Sequence, residues 1–81
     1  ERMGEYSALA DLHDPLFELG LMYSTGKGTP VNLIEAHKWF NLAALKGNTE
    51  AKSYRLEIAH EMSKKEIAEA QRLAREWLEQ N

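Results

Sequence analysis

The chain has 81 residues, 43% hydrophobic and 28% charged, which suits one small folded domain and excludes a disordered or low-complexity chain. Its formal net charge of -3 gives no electrostatic case for nucleic acid or an anionic membrane. It has no cysteine, hence no disulfide framework or thiolate chemistry, and no apolar run near the ~18 residues of a membrane span.

Residues 1–13 place Met3, Tyr6 and Ala10 at helical offsets and read as a short helix. Asp14-Pro15 then signals a new start: Asp14 can cap the first free amides, and proline suits the first helical position. Leu16, Leu19, Gly20 and Tyr23 form one stripe, and Phe17, Leu21 and Ser24 form a second beside it. A helix apolar nearly all round is buried on several sides or covered by a partner. Gly20 costs about 1 kcal/mol against alanine in a helix interior, which is worthwhile where another helix must come close.

Gly26 and Gly28 break this helix, and Pro30 keeps it from resuming at once. Asn32 with Glu35 three residues on reads as a capping box that uses asparagine. In the second helix Leu33, Ala36, Phe40, Ala43 and Ala44 share a face, with Trp39 on its flank. Small alanines alternating with large aromatics let two antiparallel helices interlock, and Gly47 after Lys46 ends the element.

Asn48 or Thr49 caps a third helix whose face is Ala51, Tyr54, Ile58 and Met62, flanked by the stem of Arg55. Ser63-Lys64-Lys65-Glu66 is a capping box and opens the last helix, which runs to about Gln80. There Ile67, Ala70, Leu73, Ala74, Trp77 and Leu78 face inward. The outer face is charged, with Arg72/Glu76 and Arg75/Glu79 at i,i+4.

Chemistry-bearing residues do not converge. His13, His37 and His60 lack ligand spacing and read as surface or boundary histidines; His60-Glu61 begins an H-E-x-x-H motif, but Lys64 holds the second ligand position. Gly26-Lys27-Gly28-Thr29 fails the phosphate-loop pattern, because Leu21 stands at the first glycine and Gly28 directly after the lysine. The acid pairs Glu57/Glu61 and Glu66/Glu69 fit a solvated helix face, and no serine has a G-x-S-x-G setting. The chain therefore reads as non-catalytic, with no metal and no cofactor.

The run Leu19, Gly20, Met22, Tyr23, Gly26, Gly28, Ala36, Trp39, Ala43, Ala44 and Gly47 resembles the Sel1-like repeat, a relative of the tetratricopeptide repeat. Thr29, Asn32, Asp14 and Pro15 depart from the usual pattern. The stretch from Gly47 to Trp77 also resembles the terminal segment of bacterial Sel1-like proteins. The resemblance implies an all-α chain of antiparallel helical hairpins stacked as a short right-handed solenoid. In that frame 1–13 is an N-terminal cap or degenerate repeat end, 14–47 a complete repeat and 48–81 a C-terminal capping hairpin. With Leu19, Gly20, Tyr23, Gly26, Gly28, Ala36, Trp39, Phe40, Ala43, Ala44 and Gly47 as structural positions, Asp14, Phe17, Leu21 and Ser24 fall on the concave side.

The implied function is a protein-interaction module or adaptor that receives a peptide or protein on its first-helix face, with no nucleic acid and no membrane insertion. The alternative is a structural cap of a longer repeat array, or a homo-oligomer formed through exposed helix faces. Opening on Glu1 rather than Met, the chain reads as a fragment or processed product, and either bacterial cytoplasm or periplasm fits.

Overall fold

The computed structural model describes residues 14–81, so the short helix expected over 1–13 lies outside the described residues. Four helices follow in order: α1 (Pro15–Thr25), α2 (Leu33–Leu45), α3 (Thr49–Ala59) and α4 (Lys64–Gln80). The described chain is all-α, and each boundary has a local cause.

The Asp14 carboxylate accepts from the amides of Leu16 at 3.0 Å and Phe17 at 3.3 Å, with Pro15 at the first helical position of α1. Gly26 ends α1 in the left-handed region (φ 81°), which a side chain would resist. The turn is then tied back by the Asn32 amide, which donates to the Tyr23 carbonyl at 2.9 Å.

Asn32 and Asn48 cap α2 and α3 through their side-chain oxygens, and Ser63 caps α4 in a complete capping box with Glu66. At α2 only half of the expected box forms. The Glu35 amide donates to Asn32, but the Glu35 carboxylate turns outward to accept from Trp39 Nε1 at 3.1 Å and to pair with Lys38 at 3.4 Å. An indole one turn ahead and a cation three residues on outcompete the single cap amide.

Helix α2 is the shared element: α1, α3 and α4 all pack against it. Its residues Ala36, Phe40, Leu42 and Ala43 are fully buried. Ala51 of α3 joins Phe17, Ala36, Phe40 and Ala43 in one core cluster, and Ala70 and Ala74 of α4 are buried as well. The expected C-terminal hairpin is therefore looser than the first one. α4 packs against α2 rather than against its sequence neighbour α3, because its aromatic partner, Trp39, lies on α2. Trp39 and Trp77 meet edge to face, with ring centres 5.8 Å apart. Leu78, expected to face inward, is 45% exposed at the last turn. On the outer face Arg72 bridges Glu69 and Glu76, whereas the expected Arg75/Glu79 pair is not formed among the described residues.

A tight approach between α1 and α2 lies at Gly20. A Cβ built there would lie within 3.0 Å of the Phe40 ring, and Phe40 is fully buried and cannot swing away. Helix propensity alone predicts that Gly20→Ala stabilises the chain by about 1 kcal/mol. Packing predicts the opposite sign, a net loss of about 1–3 kcal/mol from overpacking. Urea unfolding of the two chains decides between them, and a raised midpoint in the variant contradicts the contact.

Candidate protein-interaction surface

The four residues expected on the concave side of α1 occupy different environments. Asp14 is half-buried; besides capping α1, it accepts from Asn48 Nδ2 at 3.1 Å. Since Asn48 caps α3, this bond ties the starts of α1 and α3 together. Leu21 is half-buried and packs on the edge of the core cluster. Ser24 is half-buried too, and its hydroxyl donates to the Leu21 carbonyl at 3.2 Å.

Phe17 belongs to the core cluster. It is only 6% exposed, with its ring centre 5.7 Å from Phe40 and 5.5 Å from Tyr54. Phe40 and Tyr54 stack at 5.4 Å, so three rings from three helices fill one contact. Tyr54 of α3 covers this side of α1. Along α1, Leu21 and Ser24 are half-buried and Met22 is 38% exposed. Leu56 on α3, 53% exposed, is a further apolar side chain that the helical pattern did not single out.

The structural positions of the repeat behave as a set. Leu19, Tyr23, Trp39 and Ala44 are half-buried, Gly20, Ala36, Phe40 and Ala43 are buried, and Gly26, Gly28 and Gly47 all take positive φ. The histidines do not form one environment. His13 lies outside the described residues, and His60 is exposed. His37, expected at the surface or boundary, is instead 3% exposed, because α3 covers the flank of α2 that an isolated hairpin would leave wet. Burial, reinforced by the Arg55 guanidinium on α3, holds its pKa below the ordinary histidine value.

Residues 16–48, spanning α1, the glycine turn, α2 and the cap of α3, match the family model of the Sel1 repeat. The chain therefore contains a Sel1-like repeat. Neither a curated protein nor a solved structure matches it. Sel1 repeats are non-catalytic modules that mediate protein–protein interaction. No helix among the described residues is long and apolar enough to cross a membrane.

The split between Phe17 and Leu21 is measurable. Phe17→Ala removes a ring packed on two others and is expected to cost about 3–5 kcal/mol. Leu21→Ser removes a half-exposed side chain and is expected to cost about 1 kcal/mol. Equal losses in urea unfolding contradict the assignment of Phe17 to the core and Leu21 to its edge.

Proposed function

We propose that this chain, with its Sel1-like repeat, is an adaptor that receives an extended peptide or a partner helix on the α1 face around Leu21 and Ser24. The observation that carries the reading is Leu21: an apolar side chain, partly open to solvent, packed against the core cluster in which the Phe17 ring meets Phe40 and Tyr54. A rigid apolar support beneath a half-open apolar residue lowers the ordering cost of binding. The Asp14–Asn48 bond adds to this by fixing α1 relative to the start of α3. The hydroxyl of Ser24 supplies a polar contact beside Leu21.

The outer face of α4 favours a second reading. Glu69, Arg72 and Glu76 form an exposed charged row opposite the buried Ala70 and Ala74, which suits a helix that closes a packed stack with a wet surface. Under that reading the chain is a structural cap, and Leu21 need not meet any partner.

Affinity capture with the immobilised chain separates the two. A Leu21→Ser/Ser24→Asp variant, verified as folded by circular dichroism, is expected to lose partners that the native chain retains from host extract. Sedimentation of the native chain at several concentrations shows whether a second copy is that partner. A folded variant that captures the same proteins with the same yield contradicts the proposed face.

A further inference from the structure

One titratable group lies inside the packed surface of α2 without a polar role. His37 is 3% exposed, and its Nδ1 is buried with no hydrogen-bond partner. The side of α2 that carries it is covered by α3. Phe40, three residues on, stacks on Tyr54, and Asn41, four residues on, accepts from Arg55 Nη1 at 2.6 Å. From α3 the Arg55 guanidinium acts on the imidazole as a neighbouring positive charge.

Among the described residues no carboxylate pairs with His37. On α2 itself, Glu35 is committed to Lys38 and Trp39. From α4, Glu66 and Glu69 line a small cavity beside Ile34, and on α1 Glu18 is exposed.

We propose that His37 makes the α2–α3 joint acid-sensitive: a proton on the buried imidazole loosens α3 from α2, so the joint is tight at neutral pH and weakened in mildly acidic medium. Protonation at Nδ1 creates an N–H donor with no acceptor in reach, and a buried donor left unpaired is unfavourable. It also sets a second cation near Arg55, and repulsion between them acts across the joint. The neutral imidazole avoids both.

The direction follows from linkage. The folded pKa lies below the value of about 6.5 that an exposed histidine takes, so the unfolded chain binds the proton more readily. Stability is therefore complete above about pH 6.5, and it is lost as the pH falls below that value and through the folded pKa. Tyr54 packs on Phe17, and Asn48 at the start of α3 holds Asp14, so a loosened α3 also uncovers the inner side of α1. The inference stands on the joint alone and holds whether or not α1 receives a partner.

The test uses the intact chain. Imidazole resonances are titrated by NMR in buffer and again in denaturing urea, and urea midpoints are measured at pH 7.5 and 5.0. His37 is expected to titrate at lower pH in the folded chain than in urea, each unit of separation being a tenfold change in the folding equilibrium. The midpoint should fall from pH 7.5 to 5.0 in the native chain and in His60→Gln, but stay nearly level in His37→Gln. In folded protein, the α3 amides should shift with the His37 titration more than those of α1. A His37 titration at or above its value in urea overturns the proposal, and this measurement needs no variant. So does a folded His37→Gln that keeps the full native pH dependence, or a titration that leaves the α3 amides unmoved.

Discussion

The structure depends on the burial of α2. A two-helix hairpin offers each helix one covered face, whereas α2 has neighbours on three sides, and its Ala36, Phe40, Leu42 and Ala43 are fully buried. Phe40 sits at the centre because it meets each side differently: the bare backbone of Gly20 on α1, the tilted Phe17 ring, and the stacked Tyr54 ring of α3. Such a contact has no slack. Protein interiors are packed like organic crystals, and the space for the Phe40 ring exists because position 20 has no Cβ. The glycine that looks like a weakness in α1 is thus the condition for its close packing.

Much of this was legible in the sequence, for reasons tied to individual residues. Helix starts were readable because Asp14, Asn32, Asn48 and Ser63 cap through short-range bonds, and helix ends because Gly26 and Gly47 take positive φ. The α1–α2 contact was readable because glycine opposite a face of alanines and a phenylalanine has few other physical meanings. Phe17 and His37 were harder. Their burial is caused by helices far along the chain, and the periodicity of one helix reports how many faces it has, not which neighbour covers them. Glu35 misled in a milder way: its spacing from Asn32 fits a capping box, but the indole of Trp39 claims its carboxylate.

The same logic explains why the candidate surface was only partly visible. An α1 apolar nearly all round could have meant a core helix or a docking helix, and its core contacts account for part of the pattern. Phe17 and Gly20 go inward, while Leu21 and Ser24 lie at the boundary and Met22 opens to solvent. The Sel1 repeat is a protein-interaction module, and in this chain the packed rings of Phe17, Phe40 and Tyr54 lie in the core beside these boundary residues. Rigidity at the base and partial exposure at the rim are what a binding face requires, whichever protein it meets. On another flank, Trp77 of α4 meets Trp39 of α2 edge to face.

The central claim is that α2 is the common core on which three helices depend. Amide hydrogen exchange at neutral pH, resolved by residue, tests it most directly. The account predicts that amides of residues 36–43 exchange only through global unfolding, with the rest of the chain opening at lower free energies. Protection that is greatest in α4 or α1, with α2 exchanging earlier, would contradict it.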